Sequence, residues 1–171
     1  YIEEWGDPRR VRDAHLGSIW EGTSNIVALD VQRAIRRDGA LPALQAHLQG
    51  LLAATPLHGG ARAVFEATLA RGVDRAARAA EARGDGDAVA RQVASALYHV
   101  TTAIAMAWEA SGMASARRMR LAQAVLRQRV LPQDPLAFDG REAAWLPGVL
   151  DPSADGADDS DVAGVMLLSD P

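Results

Sequence analysis

Apolar residues return every three or four positions along most of this chain, in blocks separated by Gly, Pro and Asp. That is the periodicity of amphipathic helices. The clearest block, "TSNIVALDVQRAIRRDG", opens at Thr23 or Ser24, either of which can cap the orphan amides of a first turn. Ile26, Leu29, Ala34 and Ile35 supply its apolar side. Arg33, Arg36 and Arg37 gather toward its C-terminal end, and Gly39 stops it. A second helix is expected over residues 41–53, with Pro42 tolerated in its first turn, and "TPLHGG" breaks it. Residues 61–83 form a third helix in spite of the interior Gly72. "GDGD" then reads as a turn whose Asp87 caps a fourth helix, residues 88–111, apolar enough to lie deep in a bundle. Gly112 interrupts, and residues 114–131 make a fifth, with Met119, Leu121, Val125, Leu126 and Val130 on its apolar side.

The two ends of the chain break this pattern. Residues 1–14 read as a loop around Gly6-Asp7-Pro8, where Asp7-Pro8 sets a turn, followed by a short Arg-rich helical or irregular turn. Beyond Pro132 the sequence is rich in Pro, Gly and Asp, and residues 151–161 have the composition of a mobile segment. Phe138, Trp145 and Leu146 can tack the early tail onto the helices, while "VAGVMLL" can pack on this chain or on a neighbour. The expectation is an all-α, antiparallel helical bundle with an irregular acidic tail, its many alanines letting the helices approach closely.

Composition adds three constraints. The chain has 171 residues, enough for one domain with a sizeable core or for a multi-helix part of something larger, and it reads as a C-terminal piece. All 18 basic residues are Arg, 17 of them with 13 acids in residues 1–133 (+4), against one Arg and nine acids in residues 134–171 (−8). The body is therefore mildly basic and the tail acidic. No Cys occurs, which excludes disulfides and thiol catalysis and leaves the redox compartment open. No stretch approaches the roughly 18 apolar residues of a membrane span, and no signal peptide leads the chain.

Candidate chemistry concentrates near the start. In "IWEGTSNI" the carboxylate of Glu21 stands between Trp20 and Gly22, just ahead of a helix. An anion there is favoured by the helix dipole alone; equally, an apolar wall from Trp20 and a flexible approach at Gly22 would suit a general base. Local chemistry permits the base without identifying it. Arg9, Arg10, Arg12 and Asp13 form either a solvated, salt-bridged segment or an anion contact. His15, His47, His58 and His99 show no ligand spacing, so no metal site is expected. His99 and Tyr98 lie in an apolar helix as core or cofactor-side polar groups, and Met106 and Trp108 read as core.

Together these pieces carry a likeness that none has alone. "YIEEWGDPRRVRDAHLGSIWEGTSNIVALDVQRAI" resembles the C-terminal region of the acyl-CoA dehydrogenase family. Members show a Gly-rich segment ending in Tyr, then "EE", then Arg-Asp-Ala, then "I-[YW]-E-G-T". Tyr1, Glu3-Glu4, Arg12-Asp13-Ala14 and Ile19-Trp20-Glu21-Gly22-Thr23 match in that order.

The resemblance implies the C-terminal domain of the acyl-CoA dehydrogenase fold and FAD-dependent α,β-dehydrogenation of an acyl-CoA thioester. It assigns Glu21 as the base, Thr23 and Asn25 to the FAD and Trp20 and Gly22 to the substrate. It further implies a cytoplasmic homo-oligomer, dimer or tetramer, that passes electrons to an electron-transferring flavoprotein.

On this view residues 1–37 end the dehydrogenase helical domain, 38–131 are an added helical region and 132–171 the acidic tail. Trp20 stands where Tyr is commoner, and residues 38–131 extend well past a minimal closing helix; "SIWEGTSNIVALDVQRAI" is similar to the branch of bacterial adaptive-response flavoproteins, whose added helical domain is linked to DNA binding. Arg117, Arg118, Arg120, Arg127 and Arg129 could neutralise phosphates, but there are no stacking aromatics among them, and a solvated helix face explains them as well. A helical interaction domain that keeps the motif as scaffold is the other alternative.

Overall fold

The computed structural model describes residues 6–17, 23–57, 59–82, 84–131, 147 and 149–150. Among the described residues the chain is all-α, with seven helices and no strand: α1 (Asp7–Gly17), α2 (Ser24–Asp38), α3 (Ala40–Ala54), α4 (Gly59–Glu81), α5 (Gly84–Ala88), α6 (Ala90–Met113) and α7 (Ala116–Arg129). Apart from residues 147 and 149–150, the tail expected to be irregular lies outside the described residues, as do its anchors Phe138, Trp145 and Leu146.

The bundle is organised around α6, which packs against α2, α3, α4 and α7. It buries Val93, Leu97, Val100, Ala103, Ile104, Ala107 and Ala110, a stripe at helical spacing whose alanines let the neighbouring backbones come close. One core cluster joins Leu48 and Leu52 of α3, Phe65 and Leu69 of α4, Val100 and Ile104 of α6 and Leu126 of α7. Phe65 is wholly enclosed. A second cluster, Leu41, Ala76, Ala79, Val93 and Leu97, receives Val31 and Ile35 from α2.

Two arginines fasten helix ends across the bundle. Arg62 of α4 donates to the carbonyls of Leu52 (3.2 Å) and Thr55 (2.8 Å), closing the C-terminal end of α3. Arg36 of α2 donates through Nε to the Ala80 carbonyl near the end of α4 (3.0 Å) and through Nη2 to Asp87 of α5 (2.9 Å). Each guanidinium adds a charged donor to carbonyls at or just beyond a helix C-terminus and meets the negative end of its dipole. Where "GDGD" reads as a turn, the structure has the short α5. Asp87 pairs with Arg36 rather than capping the next helix, which starts at Ala90 with no side-chain cap.

Other local expectations also change. Asp7-Pro8 opens α1 instead of a turn: Pro8 is its second residue, where a missing N–H costs nothing. Gly112 does not interrupt; α6 runs through it to Met113, and the chain reverses at Ala114, a non-glycine residue in the left-handed region (φ 49°). Ser115 then caps α7, its hydroxyl accepting from the Arg118 amide at 3.1 Å. The paired Arg118 and Glu109 hold the base of this α6–α7 hairpin. Gly39 ends α2 as expected, at φ 61°, and leads directly into α3.

Candidate functional site

The motif "IWEGTSN" meets the described structure at the start of α2. Thr23 is extended (φ −70°, ψ 157°), and its backbone carbonyl accepts the first ladder bond from the Val27 amide at 3.2 Å. Its hydroxyl caps no amide of the helix. The amides of the first turn thus lack both a ladder partner and a Thr23 side-chain cap, and no acidic residue stands among them. Arg36 and Arg37 in the last turn complement the dipole at the other end. The first turn of α2 is therefore electropositive and open, since Thr23, Ser24 and Asn25 are all exposed. Thr23 and Asn25 come together there, whereas Glu21, Trp20 and Gly22 lie outside the described residues.

The apolar side of α2 differs from the expected one. Ala28, Val31, Gln32 and Ile35 turn into the bundle, while Ile26 is 51% and Leu29 40% exposed, together with Val27. Spacing explains the change. Positions 28, 31, 32 and 35 complete one continuous stripe, and Ile26 and Leu29 fall on its flank. Gln32 is 1% exposed, and neither side-chain polar atom has a hydrogen-bond partner. A polar residue inside the inward stripe is a feature that hydrophobic periodicity passes over.

The remaining sequence candidates separate. Arg9 with Asp13 (3.8 Å) and Arg10 with Asp7 (3.1 Å) are solvated ion pairs along α1, where all residues but Pro8 and Val11 are exposed. Tyr98 is 65% and Trp108 45% exposed, so neither is core. The buried stripe of α6 takes alanines where α4 and α7 press closest, and a large ring there has no room. Met106 does pack against the first cluster. The arginines of α7 do not share one solvated face: Arg120 is buried, Arg118 pairs with Glu109, and Arg117 donates to the Val149 carbonyl at 2.8 Å.

His99 has its pKa lowered, first by burial and then by the positive charge of Arg129. Arg129 also lines an open groove of about 550 Å³ with Arg75 and Arg91, drawn from three different helices. No segment of sequence brings those residues together, so no linear signal marks the groove. Among the described residues no group of three His, Asp or Glu side chains could hold a metal ion, and no helix is long and apolar enough to cross a membrane. Comparison with known protein families, curated proteins and solved structures gave no match to this chain.

Proposed function

We propose that the chain is the C-terminal helical portion of an FAD-dependent acyl-CoA dehydrogenase. The observation that carries this reading is the ordered series Tyr1, Glu3-Glu4, Arg12-Asp13-Ala14 and Ile19-Trp20-Glu21-Gly22-Thr23, followed at once by a helix. In this reading the Glu21 carboxylate takes the α proton of the thioester, while Trp20 and Gly22 flank the acyl chain and limit water around the carboxylate. FAD, when bound, supplies the hydride acceptor for the β carbon.

The open first turn of α2 fits such a cofactor: its amides can donate, the Thr23 hydroxyl is not consumed by capping, and the residues of the turn itself carry no acid. Ile26, Val27 and Leu29 give this turn an apolar flank suited to packing against further protein or the flavin ring. Electrons would leave through an electron-transferring flavoprotein, and the enzyme would work as a dimer or tetramer.

The test is anaerobic flavin bleaching by a panel of acyl-CoA thioesters, with the flavin-loaded enzyme carrying this segment, wild type beside Glu21→Gln. Bleaching by wild type that is lost in the variant, with flavin retained, is the expected result. Equal bleaching in the variant would place the base elsewhere. Bound flavin that no thioester bleaches would remove the dehydrogenase reading.

A further inference from the structure

We propose that the groove between α4, α6 and α7, lined by Arg75, Arg91 and Arg129, is a binding site for an oligophosphate group, the terminal phosphates of a small molecule or free pyrophosphate. The proposal is independent of the role given to Glu21.

Charge carries the first part of the argument. Three arginines line one open groove of about 550 Å³, and no acidic residue lines it. None of the three takes part in an ion pair among the described residues, although Arg9, Arg10, Arg33, Arg36, Arg62, Arg78 and Arg118 all do. Gathering like charges costs free energy unless an anion joins them. Helix stability accounts for Arg129, which stands in the last turn of α7. It does not account for Arg91, which stands in the first turn of α6, where a cation opposes the dipole and no acidic residue offsets it.

The polar groups between the cations point the same way. Gln92 accepts a hydrogen bond from Arg75 Nη2 at 3.0 Å, which orients that guanidinium while leaving its charge unneutralised. An acid at position 92 would fix Arg75 equally well and cancel it. Ser95, one turn after Arg91 on α6, adds a hydroxyl that can donate to a phosphate oxygen. His99, one turn further on, has its pKa lowered first by burial and then by the positive charge of Arg129.

Size and composition narrow the ligand. A volume of about 550 Å³ lies within the range of small-molecule sites. The lining has no aromatic side chain on which a base could stack, so recognition rests on the phosphates. Three forked donors suit a group with more than one phosphate, because each fork pairs with its own set of oxygens. A long nucleic acid fits less well. The chain carries a net charge of −4, and Arg117, Arg118 and Arg120 are engaged within the fold rather than extending the patch.

Titration calorimetry on the 171-residue chain at low salt tests this with sodium pyrophosphate, orthophosphate, ATP and a short DNA duplex. The expected result is saturable 1:1 binding of pyrophosphate, at least about fivefold tighter than orthophosphate. Arg75→Gln, Arg91→Gln and Arg129→Gln should each weaken it about tenfold. Arg71→Gln, an exposed position on α4 outside the groove, should leave it within about twofold, and circular dichroism should show all four variants folded. ATP binding like pyrophosphate would identify a phosphate tail as the ligand, and ATP binding much more weakly would identify the free anion; both support the site. The proposal fails if pyrophosphate does not saturate, if orthophosphate binds equally well or if Arg71→Gln is as damaging as the groove variants. It also fails if the duplex competes for the same three arginines with higher affinity than pyrophosphate.

Discussion

Replacing Arg36 by Met should cost the fold about 2 kcal/mol, by a route the structure makes explicit. The variant keeps an unbranched stem and loses every donor. Its contacts include Nε to the Ala80 carbonyl at 3.0 Å and Nη2 to Asp87 at 2.9 Å. The approach of Nη2 to the Ala79 carbonyl, at 3.5 Å, is too long to count for much. A charged hydrogen bond to a carbonyl contributes about 1.5 kcal/mol at the lower end of its range, and the negative end of α4 adds a few tenths. The pair with Asp87 is half wet, the two side chains being 29% and 44% exposed, so it contributes at most about 0.5 kcal/mol.

Urea unfolding followed by far-ultraviolet circular dichroism would read the loss as a lower midpoint at unchanged slope. A double-mutant cycle with Asp87→Asn isolates the pair, with an expected coupling of about 0.5 kcal/mol. Stability within about 0.5 kcal/mol of wild type would refute the idea that this guanidinium holds α2, α4 and α5 together.

Three further predictions follow from single positions. A Cβ at Gly86 would stand 1.8 Å from the Ala79 carbonyl oxygen, so Gly86→Ala should displace α5 and cost about 3 kcal/mol in the same unfolding assay. Gln32→Met removes two buried polar atoms that have no partner and keeps the volume, so the midpoint should rise by the equivalent of about 1 kcal/mol; a fall would mean that the amide is satisfied in solution. His99 has a folded pKa below its ordinary value, so the unfolded chain takes up its proton first. Stability should therefore hold above about pH 6.5 and decline as pH falls through the folded pKa, and a His99→Gln variant should lose that part of the slope.

Much of the bundle was legible because its signals are local. Gly39 marks the end of α2 since a left-handed residue is needed there, and the long apolar blocks mark α4, α6 and α7. What escaped was set by neighbours distant in sequence. Trp108 and Tyr98 sit in an apolar helix, yet close alanine packing against α4 and α7 leaves the large rings outside. Ile26 and Leu29 read as inward from their apolarity, but Ala28 and Gln32 occupy the contact. Arg120 reads as surface charge, but its helix turns it inward. Thr23 and Asn25 could be placed at a helix start from their types alone, whereas the aim of a carboxylate such as Glu21 is a tertiary property that a local reading cannot supply.

The two-residue link at Ala114 and Ser115 has a kinetic consequence. α6 and α7 meet after almost no loop closure, so this extensive helix pairing costs the unfolded chain little entropy. The pair should form early and offer α2, α3 and α4 a surface on which to condense. Weakening it at Leu126 should then slow refolding, whereas weakening the later docking of α2 should mainly hasten unfolding.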